Sequence, residues 1–204
     1  MNVSSPIINE REITQATPAH FEAELDRDSC LKIIEYCKYN IKMEKASFGG
    51  NNPGQDVLDN NVRKSEIGWI KHNAETKFLF DKILEKTNQI NKFYNFQLTG
   101  ITEDIQFTSY SGNENEHFDW HLDMGGGFKS RRKLSLVIQL SHEDDYEGGE
   151  LLVDAGAKDG KPLVSCKKQG SMIFFPSYLL HKVTPVTSGH RYSLVSWLSG
   201  QPYL

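Results

Sequence analysis

His121 and Asp123 stand two residues apart near the middle of a 204-residue chain, and His181 and Arg191 follow far downstream. In an extended strand residues i and i+2 share a face, so this pair can offer an imidazole and a carboxylate to one ion. Leu122 between them is expected to point the other way, into a core. A third ligand from a remote strand, His181, would complete two histidines and one carboxylate. That facial set suits non-haem Fe(II) and leaves coordination positions open. An oxygenase needs such positions, one for O2 and others for a chelating co-substrate.

An HxD pair alone is weak evidence, and the surroundings of His181 carry more. Met172 to Phe175 is a short apolar run, opened by Gly170 and closed by Pro176, which reads as a buried strand and its exit. His181 falls on the next element. Thr184 to Gly189 is turn-rich, after which the chain returns through the strand-like "HRYSLVSW". Period-2 alternation puts Arg191, Ser193 and Val195 on one face, with Tyr192, Leu194 and Ser196 on the other. A guanidinium in such a strand is costly to bury unless it meets an anion, and arginine can clamp a carboxylate with two parallel hydrogen bonds. The residues therefore imply a metal site with an anion anchor one hairpin away.

The order HxD, then "DYEGGELLV", then "GSMIFFPSYLLHKVTPVTSGHRYSLVSW" resembles the 2-oxoglutarate and Fe(II)-dependent dioxygenases of the prolyl-4-hydroxylase-like group, including bacterial PKHD-type hydroxylases. The likeness covers about residues 101–198 and extends less specifically through "NNVRKSEIGWI" and "INKFYNFQLTG". It implies that His121, Asp123 and His181 bind iron and that Arg191 binds the far carboxylate of 2-oxoglutarate. Tyr110 and Ser193 would lend hydroxyls to the same co-substrate. It implies Fe(II) as cofactor, 2-oxoglutarate and O2 as co-substrates, and leaves room for ascorbate. The implied reaction hydroxylates a C–H bond, foremost on a prolyl residue of a peptide or protein, with release of succinate and CO2. A free amino acid, another small molecule, a nucleic acid, a 2-oxoglutarate-independent iron dioxygenase or a non-catalytic metal-binding jelly roll are the alternatives. AlkB-type nucleic-acid demethylases carry an arginine pair six residues apart. Here Trp197 stands six positions after Arg191, which argues against that class.

"HFDWHLD" holds two overlapping HxD units, His117/Asp119 and His121/Asp123, and strand parity cannot choose between them. The resemblance favours the second, because the family pair follows an aromatic residue and leads into a loop, as "WHLDMGGG" does. His117 and Asp119 then become pocket-rim residues or partners of the ligands. His20, His72, His142 and His190 read as structural or solvated. Trp120, Met124 and Trp197 read as core or pocket wall.

Composition bounds the rest. Net charge −4 and a pI near 6.0 give no general attraction to nucleic acid. The local cluster Lys129, Arg131, Arg132 and Lys133 reads as a solvated loop and strand entrance able to steer an acidic substrate. Cys30, Cys37 and Cys166 form no CxxC, so reduced thiols in a cytoplasmic protein are expected. No apolar run reaches membrane-spanning length, and no basic-then-apolar leader opens the chain.

These residues need a scaffold. Residues 1–18 are polar and read as an irregular lead-in. Asp26 to Asn40 has Cys30, Ile33, Ile34 and Cys37 at helical spacing, with Asp26 or Asp28 as cap. Ala46 to Asn61, rich in Gly and Asn, reads as a loop. A second helix is expected over Ala74–Phe93, with Phe78, Ile83, Ile90 and Phe93 as core positions. From Phe96 the composition turns to short strands with Gly-rich turns; in "DYEGGELLV", Gly148 and Gly149 supply a tight turn before a strand begins at Glu150. The fold class expected is α+β, mainly β: a double-stranded β-helix, or jelly roll, with N-terminal helices on one side. One domain over 1–204 would comprise a helical N-terminal part and lead-in (1–95) and a jelly-roll core (96–204).

Overall fold

The computed structural model describes residues 17–49 and 56–202. Most of the expected lead-in, residues 1–16, and the centre of the Gly/Asn-rich loop lie outside them. The described chain begins with β1 (Ala19–Phe21) and α1 (Arg27–Asn40). Short strands follow: β2 (Glu44–Lys45), β3 (Phe48–Gly49), β4 (Asp56–Val57), β5 (Arg63–Lys64) and the longer β6 (Glu66–Ile70). After α2 (Lys77–Tyr94) come β7 (Leu98–Ile101), β8 (Ile105–Ser111), β9 (His117–His121) and β10 (Arg132–Gln139). The chain ends through β11 (Tyr146–Gly148), β12 (Leu151–Asp154), β13 (Leu163–Val164), β14 (Met172–Pro176), β15 (Leu180–Val183) and β16 (Val186–Gly200).

The strands make two facing sheets. The larger runs β1-β14-β10-β16-β8-β6-β2, with β7 and β11 also paired to β16, and the smaller runs β13-β12-β15-β9-β5. Every pairing is antiparallel. This is the double-sheet jelly roll that the strand-rich second half implied. Its strands begin earlier than expected, however. β1, β2 and β6 join the larger sheet from the first 95 residues: β1 pairs with β14, β6 with β8 and β2 with β6.

Alternation in the larger sheet sorts residues between two cores. On one face Leu134, Leu136 and Ile138 of β10, Phe107 of β8, Phe174 of β14 and Leu194 of β16 pack with the helices. On the other, Val137, Tyr110, Ile173 and Phe175 meet Leu151, Val153 and Val183 of the smaller sheet. Each fully buried aliphatic or Phe side chain contributes roughly 1.5–3 kcal/mol of transfer free energy. The helices thus hold one side of the larger sheet, and its other side becomes the inner wall of the jelly roll.

α1 matches its sequence pattern. Asp26 Oδ1 accepts from Ser29 N at 2.7 Å, and Cys30, Ile33, Ile34 and Cys37 are the buried face. α2 starts three residues later than expected. Asn73 Oδ1 accepts from the backbone N–H groups of Glu75 and Thr76, and this turn delays the helix. Leu79, Phe80, Ile83 and Tyr94 face the core, whereas Phe78 is 53% exposed and Phe93 40% exposed, so both were misassigned. The loop expected over Ala46–Asn61 carries the small β3–β4 hairpin pairing.

Candidate metal and anion site

β9 and β15 lie side by side in the smaller sheet with His121 directly opposite His181. The next paired residues are Phe118 and Val183, three steps along β9 but two along β15. That extra residue is a β-bulge, and it reverses the parity of β9. His121 therefore joins the face of Phe118, stacked on its ring at 3.4 Å between centroids, and leaves the face of His117 and Asp119. Asp119 is exposed, and the His117 ring faces the Asn115 and Asn61 carbonyls. The overlapping HxD units are separated by this bulge, which no periodicity argument could see.

The three expected ligands meet. His181 Nε2 lies 3.4 Å from Asp123 Oδ2, and His121 Nε2 lies 4.0 Å from Asp123 Oδ1. One donor atom from each lies within 4.8 Å of the others. Each imidazole is held from behind: Nδ1 of His121 donates to the Asp119 carbonyl at 2.7 Å, and Nδ1 of His181 to the Leu179 carbonyl at 3.0 Å. A carbonyl only accepts, so the proton sits on Nδ1 and the Nε2 lone pairs point at the carboxylate. Burial, then the neighbouring His181, holds the His121 pKa below the ordinary histidine value. Burial would raise Asp123, but the two histidines, the Ser135 hydroxyl and Arg132 outweigh it and keep the carboxyl below its ordinary value. The two Nε2 atoms and the carboxylate converge on one point, a nitrogen and oxygen donor set that a divalent cation satisfies. The residues fit a divalent metal.

Asp123 is fixed by contacts that the sequence did not advertise. Ser135 Oγ donates to its Oδ2 at 2.6 Å and touches Ser177 Oγ at 2.9 Å. Arg132 Nη1 donates to the Asp123 carbonyl, pairs with Glu103, and lies over the Trp197 ring at 3.6 Å. Arg132 and Lys133 are thus buried, which corrects the solvated-cluster reading for these two; only Arg131 of the four is exposed. Leu122 is corrected too. It is 46% exposed, because the residues after the bulge leave the strand instead of continuing its alternation. Trp120, read as core or wall, is 38% exposed; Trp197 is buried as expected. Arg63 lies 4.3 Å over the other participant in the stack, Phe118, and backs the His121 ring from further out.

Arg191 lies on the inner wall and is 1% exposed. Its Nη1 donates to Ser193 Oγ at 3.2 Å and its Nη2 to Gln139 Oε1 at 3.0 Å, while Nε has no partner. Among the described residues no carboxylate pairs with it. A buried guanidinium held by neutral groups, with a donor left over, fits an incoming anion. Tyr110, paired with Arg191 across β8 and β16, places its ring 5.4 Å from the guanidinium carbon. Burial raises the Tyr110 hydroxyl above its ordinary pKa, so it stays a donor. Tyr146 Oη is also buried, beside Gly149 and close to the same guanidinium. At Gly149, φ is +61° and a Cβ would lie 2.9 Å from Arg191 Cδ, so only glycine lets the arginine lie there. His190 is exposed, opposite Arg191, as alternation required.

The stretch read as a turn, Thr184–Gly189, is mostly strand. β16 already begins at Val186 and pairs with β11 through Gly189. At Gly189 φ is +70° and a Cβ would lie 2.0 Å from the Asp145 carbonyl oxygen, so both the backbone conformation and the close approach call for glycine. Sequence reading missed Gln139, Ser135 and Arg132. The available signal was polarity inside "RKLSLVIQ", a strand buried along its whole length, where a polar side chain must have a partner.

A family model described as the 2OG-Fe(II) oxygenase superfamily matches residues 105–199. A PKHD-type hydroxylase of Synechococcus sp. (strain CC9605) is 42% identical over 83 residues, 41% of this chain and 36% of the relative. The match thus spans about a third of that relative. A PKHD-type hydroxylase of Bordetella pertussis (strain Tohama I) is 32% identical over 180 residues, covering 81% of this chain and 77% of the relative. Among solved structures, a prolyl hydroxylase from Trichoplax adhaerens, in complex with a hypoxia inducible factor oxygen degradation domain peptide fragment, superposes with TM-score 0.71. Its sequence identity is 17%, over 90% of this chain and 84% of that one, a likeness of fold.

Proposed function

This chain belongs to the 2OG-Fe(II) oxygenase superfamily, among the PKHD-type hydroxylases, and on that footing we propose that it hydroxylates a C–H bond using Fe(II), 2-oxoglutarate and O2. One observation carries the reading: a converging His121–Asp123–His181 set shares the inner wall with a buried arginine that lacks an anion. His121, Asp123 and His181 hold the metal through Nε2, a carboxylate oxygen and Nε2. Arg191 pairs with the far carboxylate of 2-oxoglutarate, and Ser193 and Tyr110 supply hydroxyls beside it. When bound, iron with its co-substrates supplies the oxidation that hydroxylates the substrate, with release of succinate and CO2.

The spacing of the two halves supports a short dicarboxylate between them. Ser135, which holds Asp123, and Gln139, which holds Arg191, lie on one face of β10. Four residues of strand separate them by about 13 Å. The wall between is lined by Val137 and Tyr110, which exclude water and leave the charged ends to the arginine and the metal.

The substrate we favour is a prolyl residue of a peptide or protein. Trp120, Leu122 and Leu180 flank the ligands in sequence and expose apolar surface, which gives an extended chain something to lie on. The Trichoplax prolyl hydroxylase is in complex with a peptide fragment. A cytoplasmic location belongs to the same proposal, supported by three free cysteines. Among the described residues no helix is long and apolar enough to cross a membrane. The test is succinate release with Fe(II) and 2-oxoglutarate against proline-containing peptides and free amino acids, with mass spectrometry of the substrate. A peptide gaining one oxygen atom at proline is the expected result. Turnover on free amino acids alone would overturn the peptide reading, and no succinate with any substrate would overturn the activity.

A further inference from the structure

Away from that site, three side chains of metal-ligating chemistry meet at the edge of the larger sheet. β1 is the edge strand, paired to β14 with His20 opposite Ile173. Ala19 and Phe21 pack toward the helix-side core, so alternation leaves His20 and the following Glu22 on the other face. Cys166 arrives there from the segment between β13 and β14. One ligand atom from each of His20, Glu22 and Cys166 lies within 4.8 Å of the others, and His20 Nε2 is 3.6 Å from Glu22 Oε1. Tetrahedral zinc, with bonds of about 2.0–2.3 Å, sets its donor atoms ~3.5 Å apart. The imidazole–carboxylate edge already has that spacing, and rotation of exposed side chains can bring in the thiol.

We propose that His20, Glu22 and Cys166 form a second metal site, for a zinc-class divalent cation with solvent in the fourth position. The donor set decides the class of ion. A thiolate, an imidazole and a carboxylate favour zinc over magnesium or calcium, which want oxygen ligands throughout. The His121–Asp123–His181 set has no sulfur, so the two sites differ in kind. Neighbouring contacts set the geometry. Lys168 Nζ lies 3.5 Å from Glu22 Oε2 and leaves Oε1 facing His20, and Ser171 Oγ lies 3.5 Å from Cys166 Sγ while receiving the Ala23 N–H. A bound ion ties the edge strand to the segment that enters β14. That segment also reaches the anion anchor: the Cys166 carbonyl accepts from Gln139 Nε2 at 3.3 Å, and the same amide's oxygen receives Arg191.

Cobalt(II), an optical stand-in for zinc, tests this directly, because a thiolate on Co(II) gives a near-ultraviolet charge-transfer band that nitrogen and oxygen ligands do not. The full chain and its Asp123→Ala variant are titrated with Co(II). The expected result is a thiolate band that saturates at one equivalent in Asp123→Ala, with a second equivalent taken up by His121, Asp123 and His181 in the full chain, and that is displaced by zinc in both. Cys166→Ser should abolish the band, and His20→Ala and Glu22→Gln should each weaken Co(II) binding roughly tenfold or more, since one of three protein donors is lost. Cys30 and Cys37 serve as internal controls, being fully buried with thiols that burial pushes up to about 12. The proposal is overturned if no thiolate band forms, if the band survives Cys166→Ser, or if His20→Ala and Glu22→Gln both leave the affinity unchanged. The band reads the cysteine alone, so its absence would leave the proposed activity standing, and an inactive oxygenase could still show it.

Discussion

Arg191→Ala is the most informative substitution for the co-substrate half of the site. The guanidinium is 1% exposed, donates to Ser193 and Gln139, and has an unpartnered Nε. Truncating one member of a buried, hydrogen-bonded charge pair costs about 2–5 kcal/mol. At about 1.4 kcal/mol per decade, that is roughly a 30- to 4,000-fold rise in the 2-oxoglutarate concentration needed for half-maximal succinate formation. Metal affinity should barely move, because Arg191 hydrogen-bonds none of the three ligands. Arg191→Lys should fall between, since it keeps the charge but loses the planar fork. The assay is succinate release against 2-oxoglutarate at saturating Fe(II), with thermal melting in parallel. Wild-type protein at 100 times its dissociation constant gains about 2.7 kcal/mol from ligand, and the variant should not at the same concentration. An unchanged 2-oxoglutarate dependence in Arg191→Ala would refute the anchor role.

Four further outcomes follow from named contacts. His121→Ala, Asp123→Ala and His181→Ala should each abolish succinate formation; turnover retained in any of them removes that residue from the ligand set. Ser135→Ala takes away the 2.6 Å hydrogen bond to Asp123 and should weaken metal binding by about 10- to 100-fold, read by metal titration; unaltered affinity would mean the carboxylate is held without it. Gly149→Ala forces a Cβ to 2.9 Å from Arg191 Cδ at a positive φ, so KM for 2-oxoglutarate should rise more than kcat falls; a kcat effect alone would contradict the steric argument. Asp26→Ala removes the cap of α1 and should cost about 1 kcal/mol of stability, or about 2–4 °C in Tm, with metal affinity intact.

The meeting of His121, Asp123 and His181 and the burial of Arg191 were legible because they rest on side-chain types at fixed positions in or just after strands. Met172–Phe175 is an unbroken apolar run and is buried on both faces, and α1 repeats at helical spacing and buries that face. Reading failed where local geometry overrides periodicity. The bulge in β9 changes which residues share a face between Phe118 and His121, and Leu122 is exposed because the strand ends at His121. In α2 neighbouring apolar residues offer competing faces, and Leu79, Phe80 and Tyr94 take the core, which leaves Phe78 and Phe93 at the surface. Arg132 looked like one of four solvated cations because its partner, Glu103, is distant in sequence. Polarity inside "RKLSLVIQ" marks Ser135 and Gln139 as needing partners, but the contacts with Asp123 and Arg191 come only from the fold.

Binding of 2-oxoglutarate to anaerobic protein, followed by calorimetry with and without Fe(II), in wild type and in His181→Ala, tests most directly whether metal and co-substrate share one centre. Tight binding should appear in wild type only with iron present and should vanish in His181→Ala, although Arg191 is intact. Equal affinity without metal, or undiminished iron-dependent binding in His181→Ala, would contradict the account.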